Sequence, residues 1–273
     1  MIAKLPRILQ MAKAFVRMGF LLDISYPLGF VINQVHVLVP VITAFFVGRL
    51  ITEEGTNVGG DYFTFALIGL ASTRILIASL NDLSGELDHA IQQGRLETLL
   101  VEPIPWRALP FGLVLWPLTV RWLGTVVLMT VALLLGAGYE WRGIGPAIVL
   151  TLLGALASLA IGTMAMSIKV ISKRSDPILT MYSLLVNVLS GVVFPVALLP
   201  GPLQAMAALL PQTYVISANR HLLMTGGHQL SGPTPVESAL FLIVFTVVGM
   251  IGAQWVLRRS LDAARRLGVL GGY

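Results

Sequence analysis

An all-α integral membrane protein is expected: six transmembrane helices, an N-terminal interfacial helix, one polar cytoplasmic helix and short re-entrant helices on the outer side. Three features of the chain lead there. The 273 residues are 56% hydrophobic and only 11% charged, against about 25% charged in ordinary soluble domains. Six apolar stretches, near 27–51, 61–80, 110–137, 146–168, 178–199 and 236–257, match the roughly 20 residues needed to cross a hydrocarbon core of about 30 Å. The basic residues also segregate between alternate loops, as they do in multi-pass chains.

That segregation sets the orientation. With the N-terminus cytoplasmic, the inner segments hold thirteen basic residues: Lys4, Arg7, Lys13, Arg17, Arg95, Arg107, Lys169, Lys173, Arg174, Arg258, Arg259, Arg265 and Arg266. The outer segments hold three, Arg49, Arg142 and Arg220, and Arg74 and Arg121 fall within spans. Both termini are therefore expected in the cytoplasm of a multi-pass protein of the plasma (bacterial inner) membrane. The net charge of +5 reports this orientation and does not point to nucleic acid. With no cysteine, disulfides and thiolate metal sites are excluded.

In chain order, residues 1–22 place Ile8, Met11, Phe15, Met18 and Leu22 on one helical stripe with Lys13 and Arg17 away from it. The pattern suits a helix lying in the headgroup plane; a cytoplasmic extension of the first span is the alternative. With Lys4, Arg7, Lys13 and Arg17 ahead of the first long apolar run near residue 27, a cleavable signal is not expected. The first span carries Asn33, Gln34, His36 and Pro40, polar groups that either bond a neighbouring helix or line a path. Arg74 and Arg121 lie in apolar spans, where an arginine costs about 2.5–3.5 kcal/mol on insertion scales. Either they snorkel inward, or they line an inner vestibule for anionic headgroups.

Residues 81–110 form the long polar stretch between spans two and three. Leu87, Ile91, Leu96, Leu99 and Leu100 fall roughly on one side of a helix, and Glu86, Asp88, Gln92, Gln93, Arg95 and Glu97 on the other. Pro103 and Pro105 stop it. A short amphipathic helix outside the bilayer is a handle for a soluble partner.

The fourth span spaces Gly154, Ser158 and Gly162 four apart, which lets helices approach closely in lipid. The fifth aligns Ser183, Asn187 and Gly191, with Asn187 either in a helix–helix hydrogen bond or on a polar path. Residues 194–225 are too apolar for a solvated loop and too broken, by Pro195, Pro200, Pro202 and Pro211, for a span. Short helices dipping into the outer leaflet fit them better, provided protein covers their backbone ends. The basic tail after Trp255 should sit against anionic membrane lipid.

No phosphate-cradling G-x-x-x-x-G-K-[ST] run occurs, the four histidines are scattered, and no nucleophile–base pair is recognisable. Carboxylates deep in the spans are expected to be missing, which weakens a proton-driven carrier. The chain is thus expected to be no enzyme, and any transport it performs takes its energy from elsewhere.

Several runs carry a family likeness. Gly94-Arg95-Leu96-Glu97-Thr98-Leu99-Leu100-Val101-Glu102-Pro103 resembles the G-T-L-E-x-L-L-x-x-P stretch after the second span of type-2 ABC exporter permeases. Gly191-Val192-Val193-Phe194-Pro195, then Leu199-Pro200, then Leu210-Pro211-Gln212-Thr213-Tyr214 is similar to that family's outer pattern. The resemblance spans the chain and implies one permease domain, residues 1–273, that pairs with a second copy or a paralogue and carries two separate ATPase subunits. ATP and magnesium would be bound by those partners and no cofactor by this chain. In that family the polar helix, here 86–103, is the coupling helix seated in an ATPase groove, which assigns this contact to Glu86, Asp88, Gly94, Arg95, Leu96, Glu97, Leu99, Leu100 and Pro103. His89 and Ala90 stand where relatives often have two acidic residues, which leaves Glu86 or Asp88 as the contacting carboxylate. Residues 194–225, with Phe194, Pro195, Pro211, Thr213 and Tyr214, would be the re-entrant pair closing the exit. Asn33, Gln34, Arg74, Arg121, Ser183 and Asn187 are the candidates for lining the path of an amphipathic drug, lipid or lipid-linked glycan. The rival reading is a membrane scaffold that docks a partner through residues 81–110 without transport.

Overall fold

Between Tyr62 and Gln92 the chain contains no proline, and Leu76, Leu80, Leu83 and Leu87 recur every three or four residues, so a single helix runs the whole way. This central helix organises the bundle in a computed structural model that describes residues 5–25, 27–53, 62–92, 109–172, 176–224 and 232–266. Every regular element among them is helical. In order they are α1 (Leu5–Ser25), α2 (Pro27–His36), α3 (Leu38–Glu53), α4 (Tyr62–Gln92), α5 (Leu109–Leu134), α6 (Ile144–Ser172), α7 (Asp176–Leu189), α8 (Gly201–Ala207), α9 (Pro211–Leu223) and α10 (Pro235–Arg266).

Among the described residues four helices are long and apolar enough to cross a membrane: Tyr62–Glu86, Phe111–Leu134, Trp141–Lys169 and Pro235–Ala263. Leu38–Leu50 and Pro177–Leu189 are shorter apolar helices. The stretches expected as spans one and five are therefore not single long helices. The first is divided at Val37, where α2 gives way to α3; Pro40 has no amide to offer the His36 carbonyl one turn back, so the ladder breaks there. The fifth, expected over 178–199, is helical only to Leu189. Its 14 residues reach about 21 Å. Ser190 then bonds its hydroxyl back to the Val186 carbonyl, and Gly191 turns the chain at φ +78°, a conformation that costs a side-chain-bearing residue about 1–2 kcal/mol.

α4 is buried along most of its length and packs on α3, α5, α6 and α9, while α10 lies along α6. The small residues of α6 face these neighbours. A Cβ at Gly162 would stand 2.7 Å from the Leu80 carbonyl oxygen on α4, and one at Gly154 would overlap the Val215 side chain on α9. α1 lies against α5 through Phe15 on Gly112 and Phe20 edge-on to Trp116, with Lys13 and Arg17 exposed. Opposite the packed faces, α10 exposes Val236, Leu240, Val244, Val248 and Ile251, and α7 exposes Ile178, Met181, Leu184 and Val188. Apolar faces of this extent belong against hydrocarbon or another apolar surface.

Candidate functional site

A polar cleft opens inside this apolar frame. On α4, Arg74, Ala78, Asn81 and Asp82 stand at i, i+4, i+7 and i+8, which puts them on one face. Across from them, Arg121 of α5 donates to Asp82, from Nη2 to Oδ1 at 3.3 Å and from Nε to Oδ2 at 3.4 Å. The pair relieves the cost of placing a guanidinium among apolar helices. Both distances exceed the roughly 2.7–2.9 Å of a tight charge-assisted bond, so the contact is loose. Asn81 Nδ2 donates to Ser183 Oγ of α7 at 3.1 Å, and Trp116 Nε1 donates to Asp23 of α1 at 2.9 Å.

Two cavities meet at the ion pair. One, of about 390 Å³, is lined by Thr73, Arg74, Asn187 and Pro40 among others; the second, of about 300 Å³, by Asp23, Glu86 and Trp116. Asn81, Asp82 and Arg121 line both. Arg74 and Arg121 thus border one cleft, with Asn187 at its wall and Ser183 bonded to its rim. Asn33 and Gln34 fall on α2. The first residues of the polar stretch, 81–92, continue α4, so Asp82 belongs to the membrane-length segment Tyr62–Glu86, one turn from its end.

The second polar assembly surrounds α9, which buries polar Gln212, Thr213, Asn219, Arg220 and His221 beside its apolar residues. Gln212 accepts from the Tyr182 hydroxyl at 2.9 Å and donates to Ser158 Oγ at 3.2 Å. Asn219 Nδ2 donates to Ser72 Oγ and Thr151 Oγ1, each at 2.9 Å. Arg220 stacks 3.4 Å from the Phe65 ring centroid and donates to three main-chain carbonyls: Phe65 at 3.2 Å, Gly191 at 2.6 Å and Val192 at 2.7 Å. Its place in the sequence puts it among the outer-loop charges; in the fold it is only 5% exposed. A Cβ on Gly69 would collide with the Val192 carbonyl oxygen, so only glycine there lets the turn after α7 reach α4.

The outer residues expected from the sequence gather near this clamp. Thr213 Oγ1 donates to the Ala207 carbonyl at 2.8 Å, and the Tyr214 hydroxyl to that of Ala208 at 3.1 Å, while the Tyr214 ring stacks on Phe241 at 3.8 Å. Pro211 begins α9 in the first helical turn, where its missing amide costs nothing. Pro195 accepts from the Leu198 amide at 3.1 Å, and Phe194 is half-buried. Glu86 and Asp88 lie on the last turns of α4. Gly94, Arg95, Leu96, Glu97, Leu99, Leu100 and Pro103 lie outside the described residues.

Sequence reasoning missed Asp82, Asn81, Gln212, Asn219 and Arg220. The uninterrupted leucine spacing across residues 76–87 was the available signal for the first two. No local signal marks the others, because their partners are remote in the chain.

No curated protein matches the chain in sequence. The family model for ABC-2 type transporters matches residues 29–224, which takes in α3 to α9, the cleft and the α9 clamp. With membrane-length apolar helices and a match over most of its length, the chain belongs to the ABC-2 type transporter family, as the membrane-spanning permease subunit that works with an ABC ATPase partner.

Proposed function

We propose that this permease pairs with a second copy or a paralogue and exports an amphipathic substrate, driven by two ATPase subunits that bind ATP and magnesium. In this reading residues 86–103, which begin on the last turns of α4, make the coupling contact, the polar cleft between α4 and α5 is part of the substrate path, and α8 and α9 close its outer end. Both termini face the cytoplasm of the bacterial inner membrane, as the excess of basic residues on that side implies.

One observation carries the reading. α4 is a single 31-residue helix, about 46 Å long. It meets the Arg220 clamp at Phe65, forms the cleft wall at Arg74 and Asp82, and ends at Gln92, directly before the stretch that resembles a coupling helix. A displacement applied at residues 93–103 therefore reaches both cleft and clamp through continuous backbone hydrogen bonds. ATP-driven closure of the ATPases would shift this helix, rock the paired bundles and open the outer end.

The test is assembly and coupling. Leu96→Asp and Glu97→Lys are each expected to lower co-purification of the cognate ATPase and to abolish substrate-stimulated hydrolysis, with the permease still inserted. An ATPase that stays bound with full stimulation in both variants overturns the assignment.

A further inference from the structure

We infer that the Asp82–Arg121 pair is a displaceable partition within the cleft, with Asp82 standing in for the anionic headgroup of the substrate. An alkyl phosphate or carboxylate entering the cleft takes Asp82's place on Arg121 and is drawn on to Arg74. The inference rests on the cleft being a transport path and assigns a chemical class to what travels in it.

Three observations support it. First, the pair lines both cavities, so it stands where the two adjoin, with Asn81 beside it. Second, its contacts of 3.3 and 3.4 Å are long. A bidentate phosphate or carboxylate free to choose its position would bind the guanidinium more closely than a carboxylate fixed to α4. Third, the charges in the larger cavity do not balance: two guanidiniums, Arg74 and Arg121, share one carboxylate, Asp82. Arg74 Nε and Nη2 are buried and have no hydrogen-bond partner, and neither does the buried Thr73 hydroxyl at the same wall. Buried donors left unpaired cost stability, and an incoming anion supplies the acceptors they lack. The volume is adequate. At about 390 Å³ the cavity is well over twice the size of the engineered cavity of about 150 Å³ that holds benzene, which leaves room for a phosphate and the start of its chain.

A purely structural ion pair and a stand-in anion predict different effects of removing the carboxylate. If the pair is purely structural, Asp82→Asn strands a charge and brings no gain in affinity. If Asp82 competes with the ligand, the same change frees Arg121 and tightens binding.

The experiment measures saturable binding of radiolabelled dodecyl phosphate to the permease in phosphatidylcholine nanodiscs, corrected for empty discs. Wild type should bind, and dodecyltrimethylammonium should not compete. Arg74→Gln and Arg121→Gln should each weaken binding about tenfold or more, the loss expected for a hydrogen-bonded charge, and Asp82→Asn should tighten it about tenfold. Arg74→Gln breaks no ion pair among the described residues, so it remains decisive if Asp82→Asn misfolds: unchanged affinity in that variant overturns the proposal. So does an absence of saturable binding in wild type, competition by the cationic amphiphile, or a wild-type-like melting curve for Asp82→Asn with no gain in affinity. The coupling test on Leu96 and Glu97 reads a different quantity. If hydrolysis fails to depend on those residues while dodecyl phosphate still binds, the anion site stands and the transport reading falls.

Discussion

Three arginines enter the apolar bundle, and each meets the cost of burial differently. Arg121 takes a carboxylate, Arg220 takes three main-chain carbonyls and an aromatic face, and Arg74 keeps two nitrogens unpaired. The Arg220 arrangement depends on a planar fork of donors, which a lysine ammonium cannot reproduce. Arg220→Lys should therefore lower stability by about 1–3 kcal/mol, the cost of leaving buried acceptors unsatisfied, and a fall in the thermal unfolding temperature of the purified protein checks it. A melting curve superimposable on wild type would mean that the clamp contributes little. Of these residues, Arg74 and Arg121 stood out in the sequence as charges inside spans. Arg220 did not, since its acceptors at Phe65 and Gly191 lie 155 and 29 positions away, and a main-chain carbonyl is available at every residue.

Among the helices, type was legible in the sequence and length was not. Hydrophobic spacing identifies α4, α5, α6 and α10, but where a helix ends depends on local chemistry that hydropathy averages away. α4 runs past the apolar run because nothing breaks it, and the polar residues 81–92 ride on the same helix. α7 stops early because Gly191 adopts a positive φ and its carbonyl is held by Arg220. The small-residue spacing of α6 was readable as a packing signal, although its partners were not. Gly162→Val tests the α4–α6 contact: the added side chain starts 2.7 Å from the Leu80 oxygen and should destabilise the protein by about 1–3 kcal/mol or more, the range for overpacking. Leu156→Val, at an exposed position of the same helix, is the control and should leave the melting temperature nearly unchanged. Equal melting temperatures for the two variants would show that α4 and α6 do not approach this closely.

Across the whole molecule, α4 connects the Arg220 clamp, the cleft and the approach to the stretch that resembles a coupling helix. If it acts as a rigid lever, interrupting it should separate binding from work. Two glycines inserted after Gly85, beyond the Arg121 contact and before residues 86–103, should leave the ATPase bound and reduce substrate-stimulated hydrolysis by about tenfold, since glycine is among the poorest helix formers. Stimulation at the wild-type level in reconstituted vesicles would show that coupling bypasses α4. The exposed apolar faces of α7 and α10 suit hydrocarbon or another apolar surface.

The class of this protein is written along the chain. Composition makes it a helical membrane protein, the distribution of lysine and arginine implies an orientation, and the runs at 94–103 and 191–214 carry the family likeness that the match over residues 29–224 supports. These properties are local or additive, so they survive being read one segment at a time. Which polar residues meet is a property of the folded bundle alone. Asp82 with Arg121, Asn81 with Ser183, Gln212 with Tyr182 and Ser158, and Arg220 with the turn after α7 are pairings between distant segments. In an apolar bundle most buried polar groups find a partner, but which one each finds is set by how the helices pack.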